Sequence, residues 1–343
     1  MLPALSLYAF LNAKIRALAS FLLSPAQVEA IGRAGRLEEY LGLLQPTAYR
    51  EIAETPEAER DPRLLEKKFL LHDIDLHKKI LAAGKGRTRD VVFSLLGNYD
   101  LQNFKAALRL WFQPSEREEE PPYLISETIC WPLDLPALIA ADSFDALSKL
   151  LAQSPYRGPL RAAREEFQRR GNLLPIEVAL DRDYYERLNL VLETLSSSDR
   201  AIARRLVGAE IDLENIKLLI RLREYYGLPL GEILGYLLPG GDRIDAGELR
   251  RLAGGADMRT ALSEMTARSY GRIDGLFSRK ADPAGLSLLE AGLQEIMLRQ
   301  ARAAFRSFPF TIGTILAYCL FKRAETRFLI SSLYAIVLGR STR

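Results

Sequence analysis

Apolar residues recur at helical spacing in two similar stretches of the chain. Leu101, Phe104 and Leu108 follow an i, i+3, i+7 pattern, and residues 213, 216 and 220 repeat it with Leu, Ile and Ile. This spacing places the apolar side chains on one face of an α-helix. Both stretches, 99–110 and 210–222, are therefore predicted to be helices.

The polar residues of these two predicted helices also recur at matching offsets. The shared set is Asp, Asn, Lys and Arg, which stand as Asp100, Asn103, Lys105 and Arg109 in the first copy and as Asp212, Asn215, Lys217 and Arg221 in the second. Copies of one pattern within a chain indicate a repeat architecture. The aspartate is expected to open each helix, where a carboxylate is favoured.

The rest of the pattern predicts further helices. A first amphipathic helix is expected over residues 2–23, and Ser24-Pro25-Ala-Gln27 then has the composition of a capped helix start. A long helix is expected over 61–82 and a break at Gly84–Gly86. The Pro- and Glu-rich stretch 114–122 indicates a linker. No run of alternating β-branched residues with hairpin turns is present, so the predicted fold class is all-α.

The same order of elements occurs three times along the chain. A Ser/Thr–Tyr element at Tyr49, Tyr156 and Tyr270 recurs about every 110 residues, a domain-sized period. The predicted C-terminal helix, 314–338, is the third counterpart of the Asp-bearing helices, with Glu325 in the acidic position. We therefore expect three similar helical domains.

These repeats predict three domains with boundaries at the ends of the long helices. They cover residues 1–115, 116–226 and 227–343, and the N-terminal helix is expected to pack with the C-terminal repeat. In the third repeat, Gly227-Leu-Pro229 is expected to start a helix and the Gly-rich Leu237–Gly241 to stop it.

Composition agrees with a folded protein of two or three domains. The chain has 343 residues, 48% of them hydrophobic and 27% charged, and a net charge of +3, which is too small to indicate nucleic-acid binding. Two cysteines, Cys130 and Cys319, suggest a reducing compartment without a disulfide framework. The apolar runs at 308–321 and 328–339 are shorter than the roughly 20 residues of a membrane span. The opening, 1–23, lacks the basic start of a signal peptide.

None of the catalytic patterns that we considered is complete. The stretch Ala83–Thr88 resembles a phosphate loop only faintly, because it lacks the first glycine and follows a predicted helix. His72 and His77 are the only histidines, and their spacing of five does not suit a helical metal pair. The sequence therefore predicts no catalytic residue, no bound cofactor and no metal.

The duplicated Asp and Asn residues allow two interpretations. Asp100 and Asn103, like Asp212 and Asn215, stand three apart and so share one helix face. They could form a polar contact surface that is used twice. Alternatively, the aspartate caps its helix and the asparagine is buried, where it fixes the register of a neighbouring helix. Duplication favours the second interpretation, because each domain needs the same internal contact.

The order of these motifs resembles one known family. The motifs are Tyr8-x-Phe10-Leu-Asn12-Ala13-Lys14-Ile-Arg16-Ala near the N-terminus, the two Asp-x-x-Asn-x-Lys-x-x-x-Arg helices, and Leu237-Leu238-Pro239-Gly240-Gly241. Together they resemble the C subunit of archaeal and bacterial A-type/V-type rotary ATPases, whose counterpart in the eukaryotic V-ATPase is the d subunit. The resemblance extends from Tyr8 to about Leu333. One departure is Glu325-Thr-Arg-Phe328-Leu-Ile330, where the family has Glu-x-x-Asn-Leu-Arg, so the third repeat is expected to differ in its polar contacts.

This resemblance implies a non-catalytic connector in a rotary ATPase. The expected shape is a funnel of three similar helical domains around a pseudo-threefold axis. The expected partners are the membrane rotor ring and the central-stalk subunits, at the cytoplasmic face of the membrane and without a transmembrane span. The transported ion, proton or sodium, and the direction, ATP synthesis or hydrolysis, stay open. The alternatives are a stand-alone helical adaptor and an enzyme with an unrecognised site.

Overall fold

The computed structural model of this chain describes residues 2–54, 56, 61–113, 123–224, 226–244, 247, 249, 258–272 and 283–339. Helices dominate these residues, and no strand is found among them. The prediction of an all-α fold is therefore confirmed. The predicted linker, 114–122, lies outside the described residues.

The chain divides into two compact units. The first is discontinuous and combines Met1–Arg161 with Tyr318–Arg343, whereas the second is the continuous segment Ala162–Ala317. The division into three repeats that the sequence predicts stays a prediction.

Among the described residues, eight helices lie wholly in the first unit and a ninth ends at its boundary. They are α1 (Leu2–Ala19), α2 (Pro25–Arg33), α3 (Leu37–Leu44), α4 (Arg50–Ala53), α5 (Pro62–Ala83), α6 (Gly86–Phe112), α7 (Leu135–Ala140), α8 (Phe144–Leu150) and α9 (Arg157–Ala162). The second unit contains α10 (Arg164–Arg170), α11 (Leu174–Glu193), α12 (Ser197–Glu224), α13 (Leu230–Tyr236), α14 (Met258–Tyr270) and α15 (Pro283–Arg306). The last helix, α16 (Ile312–Val337), begins in the second unit and continues into the first.

The start of α2 confirms the predicted capping box. Ser24 Oγ accepts a hydrogen bond from the Gln27 backbone N–H at 3.3 Å, and the Gln27 side chain accepts one from the Ser24 N–H at 2.8 Å. The helix before it is shorter than predicted, since α1 ends at Ala19 rather than at residue 23. Bonds from Phe21 N to Leu18 O and from Leu22 N to Ala19 O tighten the chain there into 3₁₀-like turns.

The predicted break between the two long N-terminal helices is also found. α5 ends at Ala83, and α6 begins at Gly86, whose φ of 52° lies in the left-handed region that favours glycine. The two helices pack against each other as neighbours. The two helices on either side of this break therefore form a helical hairpin.

The core of the first unit joins the beginning of the chain to its end. One cluster brings the apolar residues of α2 to α5 against the second half of α16, and its fully buried members are Tyr40, Leu44, Tyr49, Leu65, Phe69, Leu329 and Leu333. A second cluster packs α5 and α6 against the segment before α7 through Ile74, Leu96, Ile125 and Ile129.

The second unit is built around α12, which packs against α11, α13 and α15. Buried residues of α12 include Leu206, Ile211, Ile216 and Leu219, which continue the apolar pattern of the sequence.

Across the described parts of both units, no helix is long and apolar enough to cross a membrane.

Candidate functional site: carboxylate joints on the central helices

The repeated aspartates lie in the middle of long helices. Asp100 is in α6, which begins at Gly86, and Asp212 is in α12, which begins at Ser197. The prediction that each aspartate opens its helix is therefore wrong. The apolar pattern continues upstream through buried residues such as Val92 in α6, and so the helix extends past the carboxylate. Both carboxylates instead bind a loop that follows later in the chain.

The first carboxylate joint fixes the segment 125–131 on α6. Asp100 Oδ2 accepts hydrogen bonds from the backbone N–H groups of Cys130 and Trp131, each at 2.9 Å. One turn further along, Asn103 Nδ2 donates to Ile125 O at 2.8 Å, and Asn103 Oδ1 accepts from Ile125 N at 3.0 Å. Both side chains are buried. The Asn103 side chain thus bonds to both the N–H and the C=O of one loop residue, as a neighbouring β-strand would. Its partner is this loop segment rather than the neighbouring helix that the sequence predicted.

The second joint repeats this arrangement with more donors. Asp212 Oδ2 accepts from the backbone N–H groups of residues 242–244 at 3.2, 2.8 and 3.1 Å and from the Tyr270 hydroxyl at 2.5 Å. Asn215 Nδ2 donates to Leu238 O at 2.9 Å, and Asn215 Oδ1 accepts from Leu238 N at 2.7 Å. The loop that the sequence identified as a helix stop is therefore the segment that the joint binds.

The glycines of this loop allow its close approach to α12. Gly240 has a φ of 94°, and a Cβ atom on Gly241 would lie 2.0 Å from Asp212 Oδ1. On the helix side, a Cβ atom on Gly208 would lie 2.8 Å from the backbone of Asp242. Larger residues at 208 or 241 would push the loop away from the carboxylate.

Burial changes the acidity of both aspartates. Burial raises the pKa of Asp100 to about 6, although the two backbone N–H groups oppose the shift. Burial also raises the pKa of Asp212, against the hydrogen bonds from Tyr270 and the loop. The donors therefore compensate only in part for the loss of water around each carboxylate.

The third joint is made by Glu325 in α16 with residues from the beginning of the chain. Glu325 Oε2 accepts from the backbone N–H of Leu23 at 2.6 Å, and Glu325 Oε1 accepts from the Tyr49 hydroxyl at 2.6 Å. Phe328 takes the place of the asparagine and packs in the core cluster of the first unit. The expected difference in polar contacts is thus found at this position.

A buried lysine is a distinctive feature of the third joint. Lys322, only 2% exposed, donates to Glu325 Oε1 at 3.0 Å and to the Tyr49 hydroxyl. Its ammonium nitrogen also lies 4.3 Å from the centre of the Tyr49 ring. The first and second joints have small residues, Gly97 and Ala209, at the equivalent helix positions. The third joint therefore has a cation three residues before its carboxylate, and it lacks the amide that the other two joints have three residues after theirs.

The tyrosine elements are alike in two of the three copies. Thr47 Oγ1 accepts from Tyr49 N at 3.1 Å, and Ser154 Oγ accepts from Tyr156 N at 3.3 Å. The third copy differs because Tyr270 is the last residue of α14. Their hydroxyls also bind different groups, since Tyr156 donates to Gly97 O at 3.5 Å rather than to Asp100.

The repeated basic residues differ in their surroundings between the two helices. On α6, Lys105 is buried and Arg109 is exposed. On α12, Lys217 Nζ lies 2.6 Å from Glu214 Oε1. Lys217 and Arg221 border a cleft of about 180 Å³, whose other lining residues are Val178, Asp181, Glu214, Leu218, Leu238, Leu289 and Glu290. This one helix thus presents its Asp and Asn to the joint and its Lys and Arg to a cleft.

A buried ionic pair on α5 was missed by the sequence interpretation. His77 Nδ1 lies 3.1 Å from Asp73 Oδ1, and the Tyr99 hydroxyl donates to Asp73 Oδ2 at 2.7 Å. Burial alone would lower the pKa of His77, but Cys319 and Asp73 raise it to about 10. The i, i+4 spacing of Asp73 and His77 was the signal that could have revealed this pair. No group of three or more potential metal ligands is found in the described part of the chain.

Comparisons with known proteins agree with the resemblance noted in the sequence. A family model described as ATP synthase (C/AC39) subunit matches residues 11–340. The chain is 25% identical over 342 residues to the C subunit of the A-type ATP synthase of Methanocaldococcus jannaschii, an alignment that covers 99% of this chain and 84% of that protein. It is 28% identical over 317 residues to the protein of the same name from Haloferax volcanii, and that alignment covers 88% of each.

Proposed function

This chain belongs to the ATP synthase (C/AC39) subunit family, and on that basis we propose that it connects the membrane rotor ring to the central stalk of a rotary ATPase. As a member of a family of ATP synthase subunits it is a non-catalytic subunit, as the sequence predicted. Its role is to carry torque during ATP-driven or ATP-producing transport of protons or sodium ions. The observation that carries the proposal is the family match over nearly the whole chain.

The three joints support an architecture of three similar domains. Each has a buried carboxylate on a long helix that binds the backbone of another segment, at intervals of about 110 residues. The third carboxylate binds the beginning of the chain, as a closed arrangement of three repeats requires. We therefore propose a funnel with a pseudo-threefold axis and domains 1–115, 116–226 and 227–343.

The chemistry of the joints suits a protein that transmits force. Buried side chains whose hydrogen bonds are made hold one backbone geometry, and close-packed helical interiors have low compressibility. Asn103 and Asn215 each make two hydrogen bonds to one backbone residue, which fixes both position and orientation. In this proposal the protein lies at the cytoplasmic face of the membrane, peripheral to it, with the ring on one side and the stalk on the other.

Reconstitution of the complex with and without this chain tests the proposal. The catalytic head, the stalk and the membrane sector would be assembled in vesicles, and ATP hydrolysis and ion transport measured together. We expect ATP-driven transport only when the chain is present, while hydrolysis by the head persists in its absence. Equal transport without the chain would contradict a coupling role. ATP hydrolysis by the purified chain alone would favour an enzyme instead.

A further inference from the structure

The turn between α5 and α6 carries exposed cations that have no partner. Lys79, Lys85, Arg87 and Arg89 are exposed, and none of these four side chains forms an ion pair or a hydrogen bond with the described residues. The chain has no acidic residue from position 76 to position 89. A local excess of positive charge of this kind attracts anions. We call residues 85–89 the hairpin tip.

The start of α6, which lies in the hairpin tip, has no capping side chain. Lys85 stands at the N-cap position without a side-chain capping hydrogen bond, and no acidic residue lies in the first turn. The backbone N–H groups of a first helical turn have no partner within the helix, and the helix dipole adds partial positive charge there. This start is therefore open to an anion, which helix N-termini bind through those N–H groups.

A buried hydroxyl in the same turn also lacks a partner. Thr88 is only 1% exposed, and its Oγ1 makes no hydrogen bond with the described residues. The Cα–Cβ bonds of a helix tilt toward its N-terminus, so the side chain of this third helical residue points back toward the open start of α6. A buried donor without an acceptor is unfavourable. An anion at the hairpin tip would supply the missing acceptor, and this observation is independent of the charges.

The two glycines of the turn leave room for a ligand without loosening the turn. A Cβ atom on Gly86 would meet nothing within 4 Å, so the space beside the helix start is open. A Cβ atom on Gly84 would lie 3.3 Å from the Cα atom of Arg89, so the backbone of the turn packs closely against α6. A site held in this way needs little reorganisation when a ligand binds.

We propose that the hairpin tip binds a phosphate group. The phosphate oxygens accept hydrogen bonds from the first-turn N–H groups and the Thr88 hydroxyl, and Lys85, Arg87 and Arg89 neutralise the charge. A phosphate suits this set better than a carboxylate, because it offers more oxygens and more negative charge, and a guanidinium can bind it with two parallel hydrogen bonds. Free phosphate ions and anionic lipid headgroups both present this chemistry.

The site differs from a phosphate loop in what it can do. It follows the helix α5 rather than a strand, and it lacks the first glycine of that motif. We therefore expect binding without hydrolysis. Because α6 also carries Asp100 of the first joint, a ligand at its start would stabilise that helix by mass action. The inference does not depend on the proposed function.

Titration calorimetry of the full-length chain with inorganic pyrophosphate, at constant ionic strength, tests the proposal. We expect saturable binding at one site. Arg87→Gln and Arg89→Gln should each weaken binding at least about 5-fold, and the tip triple variant, which adds Lys85→Gln, about 100-fold or more.

A second triple variant controls for net charge. Lys149→Gln, Arg161→Gln and Arg205→Gln together remove three charges from exposed positions on α8, α9 and α12. This control should change binding less than about 3-fold, because exposed charges far from a ligand are screened. An equal loss in the two triple variants would mean that net charge alone attracts pyrophosphate, and the proposal would fail.

Thr88→Val separates binding from a purely structural role of the hydroxyl. The substitution keeps the shape of the side chain and deletes the hydroxyl. Since Oγ1 has no partner in the free chain, the variant should melt no lower than the unchanged chain, yet it should bind pyrophosphate about 5-fold more weakly. A lower melting temperature with unchanged binding would overturn the assignment.

Vesicles identify the source of the phosphate group. Binding to phosphatidylglycerol vesicles but not to phosphatidylcholine vesicles, if the tip triple variant abolishes it, would identify a lipid headgroup as the ligand. Binding of neither pyrophosphate nor vesicles would overturn the proposal, and so would binding that the tip triple variant leaves intact. The reconstitution assay of the proposed function measures transport, so either proposal can fail without the other.

Discussion

The buried lysine of the third joint is the most informative residue to remove. Lys322→Met keeps a long, unbranched side chain and deletes the charge. The Lys322 and Glu325 side chains are only 2% and 8% exposed, so water cannot replace the lost partner. Glu325 would keep its hydrogen bonds from Leu23 and Tyr49 but lose its only close cation among the described contacts.

The expected loss of stability is large for one substitution. Removing one partner of a buried ion pair costs about 3–5 kcal/mol, because it leaves an uncompensated charge. Since two donors remain on Glu325, we expect the lower end, about 3 kcal/mol. For a unit of this size that corresponds to a fall in melting temperature of about 6–12 °C.

Urea denaturation followed by circular dichroism would measure this change. In the double variant Lys322→Met, Glu325→Gln the buried charge is gone, and at least about 1 kcal/mol of the loss should return. Arg33→Met is the control, because it breaks the pair with Glu29, whose side chains are 77% and 61% exposed. It should cost less than about 1 kcal/mol. A Lys322→Met loss as small as the control, or a double variant with the summed losses of its singles, would refute the reasoning.

Three further predictions concern the joints and the buried pair. Asn215→Leu leaves a buried backbone N–H and C=O without partners and should lower the unfolding free energy by about 3 kcal/mol, measured by urea denaturation. Gly241→Ala should destabilise by at least about 2 kcal/mol in the same assay, because its Cβ would collide with Asp212. Protonated His77, whose pKa is raised from 6.5 to about 10, should stabilise the fold fully below pH 6.5 and lose that contribution as the pH rises through 10. Melting curves of the unchanged chain and His77→Gln between pH 6 and 10 would measure it.

Each of these predictions has a result that would contradict it. Asn215→Leu with unchanged stability but lost stalk binding would make this helix face a contact surface, as the first interpretation of the sequence held. Gly231→Ala is the control for Gly241→Ala, since nothing lies within 4 Å of a Cβ at residue 231. Equal effects of the two would exclude the collision as the cause. If His77→Gln loses as much stability at alkaline pH as the unchanged chain does, the loss comes from another titrating group.

The helices were predictable because their signals are local. The capping box at Ser24 and the break at Gly84–Gly86 depend on neighbouring residues, and both are found as expected. The repeat of Asp100 at Asp212 was also visible, but its meaning was not. A carboxylate near the start of an apolar pattern suggests a cap, and only the packed structure shows that it binds a loop 30 residues further on.

The binding partners of the joints could not be read from the sequence for a physical reason. Apart from the Tyr49, Tyr270 and Lys322 side chains, the donors to the carboxylates are backbone N–H groups. Every residue except proline offers such a group, so the loops that supply them carry no distinguishing side chain. Only the glycines at 240 and 241 mark such a segment, and the sequence interpretation took them as a helix stop. The third joint was the least predictable, since Leu23 and Glu325 are separated by 302 positions.

The separation of the partners in the third joint has a consequence for synthesis of the protein. Tyr49 leaves the ribosome long before Glu325, which follows 276 residues later. At about 5–20 residues per second the wait is on the order of 15–55 s. During that time the core around Tyr40 and Phe69 lacks Leu329 and Leu333, and the whole continuous segment 162–317 is synthesised before they appear. The two ends of the chain are therefore the last to be joined, and a chain that ends a few helical turns early would lack the residues that complete the core of its N-terminal part.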